Sequence, residues 1–546
     1  MAAEPTGSRI AVAGPAAVAV IALLALAASV TSLGNGFAYD DVHIIVNNPH
    51  VHSLAQPWHR FAEQYWPPEV GVGLYRPVTI LLYAMQWAAQ GGQPLAFHLV
   101  SVLLYACVAI LVLLVARRLL PAPAAFAAAA IWAVHPVHVE AVANVVGQSE
   151  IVTALWMLLA VLLYLRAREV GPLGVRQEIA ISGLYLLACL SKEHGLVLPA
   201  LLLAFEFTVL KRQPFTAGLR RFYLQLALIG IAFFAVRTTV LGALAGDLPP
   251  YWMTGISTGQ RWLTMLAIVP DWIRLLCWPA HLQADYGPRE LELATVFGPG
   301  QILGLVLLAS LAILALVVRR SQPVITVGLA WTAIALLPTS NLLLPTGIAL
   351  AERTLFLPSV GICMVFGAVV AYALARRWRI VPIALWAVVV AGLIWSGWRQ
   401  PVWKDNPTLF HQMTLDAPLS YRAHWGYGSM LFDKGDKDQG FRELQIAHSL
   451  YDRDSGLLLE MARDLRNAGR CQGAVPLYRQ AIAVTPSDEL RWGTRTMLIL
   501  CLLDLRDFPA AKAEARRGQQ AQLMASQFRN LERYADSLAT AGTAKP

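Results

Sequence analysis

About eleven apolar runs recur along this chain, most of them near the ~20 residues a helix needs to cross a bilayer. They lie at residues 10–34, 95–116, 121–139, 148–166, 179–193, 195–210, 222–243, 300–318, 322–338, 355–375 and 380–398. Of the 546 residues, 57% are apolar and 14% are charged. A soluble domain carries about one quarter charged residues. A disordered chain, a disulfide-rich secreted fold and an ordinary cytosolic enzyme are thereby excluded. Basic clusters flank the runs on one side: Arg117-Arg118, the Arg166–Arg176 loop, Lys211-Arg212, Arg220-Arg221, Arg319-Arg320 and Arg376-Arg377 with Arg379. The positive-inside rule makes that side cytoplasmic. The run at 10–34 reads as an uncleaved first span, so the count is odd. The N-terminus is then cytoplasmic and the C-terminal tail lies outside. The net charge of +9 comes mostly from these loops, and a nucleic-acid partner is not expected.

Two further apolar stretches do not suit a crossing. Residues 77–90 are too few, and residues 261–279 hold Arg261, Asp271, Arg274 and two prolines. They read as interfacial or re-entrant helices on the outer face. Of the 34 acidic residues, 16 fall in the last 136, so a membrane part is followed by a water-soluble tail. The expected division is a membrane domain over 1–400 with a long outer loop at 35–94, a linker at 401–418 and a helical-repeat domain over 419–546. The tail has a period near 34 residues, clearest in GLLLEMARDLRNAGRCQGAVPLYRQAIAVTP, residues 456–486. Gly469, Ala474, Tyr478, Ala481 and Pro486 sit where a tetratricopeptide repeat places small, aromatic and terminating residues. About three repeats and a capping helix are expected. Cys471 and Cys501, one repeat apart, are either a bridge between repeats or two buried thiols. Cys107, Cys189, Cys277 and Cys363 lie in or beside apolar runs and read as core or lipid-facing residues.

The acids of the membrane part gather at outer span ends, where a charge is costly unless it faces a cavity or a partner. FAYDDVHIIVNNPHV, residues 37–51, carries Asp40 and Asp41 just past the first span. Adjacent carboxylates suit a general base, a divalent cation such as Mg or Mn, or simply a solvated turn. Arg76 in YRP suits a bidentate phosphate contact or an interfacial anchor. HPVHVEAVANVVGQSE, residues 135–150, clusters His135, His138, Glu140 and Glu150. It lacks the HExxH order of a zinc helix, and Pro136 disturbs the spacing, so contacts to sugar or phosphate, or simply a polar cap on the bundle, fit better than a metal. LSKEHG holds Lys192 and Glu193, either paired to each other or binding phosphate. ERTLFLPSVG, residues 352–361, holds Arg353, which either pairs with Glu352 or meets a lipid phosphate. No Walker loop, dinucleotide fingerprint or nucleophile elbow stands in a supporting context.

The order of these motifs, from YDD through YRP, FHLVSVLLY, HPVHVEAV, GQSE, LSKEHG and ERTLFLPSVG to the tail repeats, resembles the transmembrane and tetratricopeptide-repeat proteins. These are similar to the C-type glycosyltransferases that use polyprenyl-phosphate sugars. The resemblance implies an all-α fold, a polytopic bundle followed by an α-solenoid. It implies transfer of a sugar, mannose as first choice, from a lipid-linked donor to a protein or glycan hydroxyl on the outer face. Asp40 is then the implied general base, with Asp41 beside it. Arg76, His135, His138, Glu140, Glu150, Lys192, Glu193 and Arg353 are implied donor or acceptor contacts. No cofactor is assigned with it, and a divalent cation, Mg or Mn, is an option at Asp40 and Asp41 only. The chain departs from animal members at GDLPPYW, residues 246–252, which lacks a DNP segment, at GQSE and in its compact tail. Short loops and the compact tail suggest a bacterial member in the inner (plasma) membrane with a periplasmic tail. Two rival readings are a non-catalytic membrane-anchored scaffold and a lipid-linked sugar transporter or flippase.

Overall fold

The computed structural model describes residues 14–67, 73–210, 216–242, 251–485, 487–520 and 524–541. Residues 10–13 of the first run, Glu69, Lys211, Arg212, Asp247, most of GDLPPYW and Pro486 lie outside the described residues. Among those described, every regular element is helical, as expected for the all-α class. Two units form: residues 1–286 with 291–412, and residues 287–290 with 413–546.

The first unit holds α1 (Pro15–Ser29), α2 (Pro77–Gln90), α3 (Pro94–Leu119), α4 (Ala122–Ala133), α5 (Val139–Ala143), α6 (Gln148–Val170) and α7 (Val175–Ser191). It continues with α8 (Leu198–Phe205), α9 (Ala217–Leu241), α10 (Thr258–Cys277), α11 (Pro299–Val318), α12 (Pro323–Leu336), α13 (Phe356–Ala375) and α14 (Ile380–Arg399). Five of them open on a proline, whose missing N–H costs nothing in the first turn. The core gathers on α4, an alanine-rich helix whose small side chains let α1, α3 and α13 pack against it.

Among the described residues, eight helical segments are long and apolar enough to cross a membrane. A ninth is the pair Ala122–Ala133 and Pro136–Ala143, bent by 47°. The run at 121–139, expected as one straight span, is therefore broken. Pro136 has no N–H to continue the ladder, and the His135 ring accepts from the Val137 amide to start a new turn. The other two of the eleven expected runs form shorter helices, Pro323–Thr339 and the 17-residue α7. The two stretches read as non-crossing are the 14-residue α2 and α10, which has Pro270 inside it and a Ser257–Gln260 capping box at its start. Neither is among the crossing segments.

The arginine-rich ends of α3, α6 and α9 are held by acids. Arg118 pairs with Glu169 at 2.8 Å, and Arg221 with Glu178 at 2.8 Å. Glu206, fully buried, accepts from Arg168 Nε at 2.6 Å and from the Tyr164 hydroxyl at 2.7 Å. An acid this deep is tolerated because its lone pairs are filled by charged and neutral donors.

Residues 401–418, read as a linker, carry a 3-10 turn at Gln400–Trp403 and α15 (Asn406–Asp416). The second unit is a run of helix pairs: α16 (Tyr421–Asp433) with α17 (Lys437–Leu450), α18 (Ser455–Asn467) with α19 (Cys471–Val484), α20 (Asp488–Asp504) with α21 (Phe508–Gly518), then α22 (Ala525–Ala541). Within each pair the chain turns through a left-handed residue, Gly435 (φ 95), Gly469 (φ 72) and Arg506 (φ 59). Ser420, Asp436, Asp454, Ser487 and Asp507 cap the helices that follow them. Cys471 and Cys501 are joined as a disulfide, their Cα atoms 5.3 Å apart, which decides between the two alternatives left open. The other four cysteines are free, Cys189 and Cys363 buried, Cys107 and Cys277 exposed.

Candidate functional site

Asp40 and Asp41 are neighbours in sequence with different surroundings. Tyr39 just before them takes a left-handed conformation, φ 57, and its amide donates to Asn406 Oδ1 at 2.6 Å. The chain then turns so that Asp41 is buried, 1% exposed. Its Oδ2 accepts from the Val145 amide at 3.2 Å and the Ala38 amide at 3.4 Å, and its Oδ1 from the Val146 amide at 2.8 Å. Burial pushes the Asp41 carboxyl up to about 7, against the lowering effect of those amides. Asp41, expected beside the base, gives its oxygens to the amides of Val145 and Val146 just ahead of α6 and to that of Ala38.

Asp40 faces side chains. Arg353 Nη1 donates to Asp40 Oδ2 at 2.9 Å. The Arg353 amide donates to Glu140 Oε2 at 2.8 Å, and its Nε lies 3.5 Å from Glu140 Oε1. The bend after α4 carries Glu140 on α5 to this place. One guanidinium thus stands between two carboxylates, and Arg353 pairs with Asp40 and Glu140 rather than with Glu352. Glu352 is buried separately, accepting from the Gln283 amide and from the Tyr286 hydroxyl at 3.1 Å.

A second charged group adjoins the first. Lys192 pairs with Glu150, and Arg76 pairs with Glu193 through Nε at 3.1 Å and Nη2 at 2.9 Å. Of the two alternatives for Lys192 and Glu193, the mutual pair does not form; two other pairs tie α2 and α6 to the turn after α7. Two glycines permit these approaches. A Cβ on Gly147 would lie 2.2 Å from the Ala141 carbonyl, and one on Gly195 2.5 Å from the Ala188 backbone. Arg76 also stacks over Tyr65, 5.0 Å from the ring centre. Burial pushes the Tyr65 phenol up to about 12, partly offset by Arg76, and both Asp40 and Arg353 act on it electrostatically. Glu150 acts in the same way on Arg76. Tyr65 thus lies within electrostatic reach of both groups.

The two histidines stand apart from this cluster. His138 Nδ1 bonds to the Tyr105 hydroxyl at 3.0 Å and its Nε2 to Ser359 Oγ at 2.8 Å. His135 Nε2 bonds to the Leu276 carbonyl at 3.1 Å. Both rings thus have partners inside the bundle, and His138 also packs against Trp132 and Phe356. Among the described residues no group of three or more His, Cys, Asp or Glu is placed to hold a metal. The Asp40–Asp41 pair does not fit a chelated cation, because the Asp41 oxygens face amides and Asp40 faces a guanidinium.

The cluster sets four carboxylates, Asp40, Glu140, Glu150 and Glu193, against three cations, Arg76, Lys192 and Arg353. Every one of these cations is already ion-paired, so an incoming anion must compete with a carboxylate for its charge. His194, Tyr65 and Glu352 escaped the sequence reading as site residues. His194 stood inside LSKEHG and Glu352 beside Arg353, so their signal was present in the motifs. Tyr65 had none.

No protein-family model matches the chain. A protein O-mannosyl-transferase of Caenorhabditis elegans is 24% identical over 427 residues, covering 76% of this chain and 60% of its own length. The human protein O-mannosyl-transferase TMTC4 is 27% identical over 492 residues, covering 78% of this chain and 65% of its own. Human TMTC1, of the same name, is 26% identical over 484 residues, covering 78% and 54%. The chain thus spans about three-fifths of the length of these curated relatives. The resemblance read from the motif order holds at the level of these homologues. Among solved structures, the archaeal oligosaccharyltransferase AglB of Archaeoglobus fulgidus aligns with a TM-score of 0.38 and 16% identity, over 70% of this chain and 55% of that one.

Proposed function

We propose that this homologue of protein O-mannosyl-transferases is a membrane glycosyltransferase that moves a sugar, mannose by first choice, from a polyprenyl-phosphate donor to a hydroxyl of a protein or glycan. The observation that carries the reading is Asp40 held at 2.9 Å by a guanidinium shared with Glu140. A carboxylate so placed is a base beside a phosphate-binding group. Asp40 takes the acceptor's hydroxyl proton, and the oxygen attacks the anomeric carbon. The carbon–oxygen bond to phosphate breaks, polyprenyl phosphate leaves, and the configuration inverts. The leaving phosphate gains charge as that bond breaks, and Arg353 is the donor nearest the base to receive it. Asp41 holds the loop that bears Asp40 against the start of α6, and so fixes the base relative to Glu150.

The donor's lipid tail stays in hydrocarbon, which suits a cluster built where membrane-crossing helices end. The helix pairs of the second unit are read as tetratricopeptide repeats that recruit a protein acceptor. Their disulfide supports an oxidising compartment, in keeping with a multi-pass inner-membrane protein whose tail is periplasmic. The test is direct. The full protein in vesicles, given polyprenyl-phosphate mannose and candidate acceptors, should release polyprenyl phosphate. No release with any acceptor drawn from the periplasm defeats the reading.

A further inference from the structure

Buried polar groups are nearly always hydrogen-bonded, so those left over point to something that meets them. On the two segments that carry the Glu150–Lys192 pair, three side chains hold such atoms. His194 is 2% exposed, and neither ring nitrogen has a hydrogen-bond partner among the described residues. Its Nδ1 lies 3.8 Å from Glu150 Oε2, too far for a hydrogen bond. Thr153 is 1% exposed, and its Oγ1 is likewise unpartnered among the described residues. It stands three residues along α6 from Glu150, on the same helix face. Glu193 uses Oε2 for Arg76 and leaves a buried Oε1 without a partner among the described residues.

The kind of ligand follows from charge and from donor type. Glu150 and Glu193 balance Lys192 and Arg76, so this half of the cluster is neutral. A phosphate would meet two carboxylates and no spare cation there. A neutral imidazole offers one donor and one acceptor, a hydroxyl offers both, and a carboxylate oxygen accepts. Sugar hydroxyls, each a donor and an acceptor, match that mixture.

We infer that His194, Thr153 and Glu193 Oε1 form the subsite for the hydroxyls of the donor sugar, set apart from the phosphate-facing Arg353. The inference rests on the proposed use of a lipid-linked sugar, and adds which residues select the sugar. His194 and Thr153 then govern discrimination between hexose epimers.

Binding without an acceptor separates this claim from the transfer reaction. The full-length protein, wild type and His194→Ala, is titrated with polyprenyl-phosphate mannose and with polyprenyl-phosphate glucose. The wild type should prefer one epimer, and His194→Ala should shrink that preference by about tenfold, the scale of one lost hydrogen bond. A general loss of packing weakens both donors equally and leaves the preference intact. Thr153→Val, close in shape, is the second variant should His194→Ala fail to fold, and it should shrink the preference as well. An unchanged preference in the folded variant, or a wild type that binds neither epimer or both alike, overturns the inference. Binding with the expected change but no transfer to any acceptor would defeat the proposed reaction and leave the subsite standing.

Discussion

Asp40 and Arg353 are 313 residues apart in sequence and joined by a 2.9 Å hydrogen bond. The first comes from the loop after α1 and the second from the turn that opens α13. Arg353 also holds Glu140, so the contact closes a network across three segments of the membrane unit.

Asp41 should make the protein's stability depend on pH. Its folded pKa is raised to about 7 from an ordinary value of 3.8, chiefly by burial. The folded state then binds the proton more tightly than the unfolded one. Its contribution is fully present below about pH 4 and is lost as pH rises toward about 7. Thermal unfolding of the wild type between pH 4 and 7 should show this decline, and Asp41→Asn should flatten it. An equal slope in both proteins would contradict the assignment.

Glu206→Gln should be far more harmful than its conservative form suggests. It leaves Arg168 buried without its counter-charge, a loss of about 3–5 kcal/mol. Detergent-solubilised protein should unfold at a clearly lower temperature. The double substitution Arg168→Met with Glu206→Leu should recover part of the loss, since no lone charge remains.

Much of this frame was legible in the sequence. The apolar runs gave the bundle, and the order YDD, YRP, GQSE, LSKEHG and ERT brought together residues that do meet. Which partner each charge takes was not legible. Lys192 and Glu193 are adjacent, yet the backbone is extended at Lys192 (φ -161, ψ 150) and the two side chains go to Glu150 and Arg76. The partners of His135 and His138, the Leu276 carbonyl for one and Tyr105 and Ser359 for the other, were hidden too, because sequence spacing does not report which way an imidazole turns after a proline bend. Glu206 was invisible because its partner Arg168 lies 38 residues earlier, on another helix.

The Cys471–Cys501 disulfide closes a loop of sequence separation 30. Constraint of the unfolded chain by a loop of that size is worth about 3–4 kcal/mol. The paired change Cys471→Ser and Cys501→Ser should lower the unfolding transition of the tail. Reductant should lower the wild type to the same place and leave the variant unmoved.

Arg506 occupies the turn position that Gly435 and Gly469 hold in the other two helix pairs. A side chain in left-handed backbone costs about 1 kcal/mol or more, which glycine avoids. Arg506→Gly should stabilise the tail by up to about 1 kcal/mol in denaturant titration. A loss of stability would show that the arginine side chain contributes more than its backbone costs.

The central claim is that Asp40 is the base. The decisive measurement is polyprenyl phosphate released per minute by wild type and Asp40→Asn in the same vesicles, with folding checked by thermal unfolding. Asp40→Asn should cut the rate by about 10²–10⁴-fold, as loss of a general base does, while still binding the lipid-linked sugar. A folded Asp40→Asn protein turning over at the wild-type rate would contradict the account.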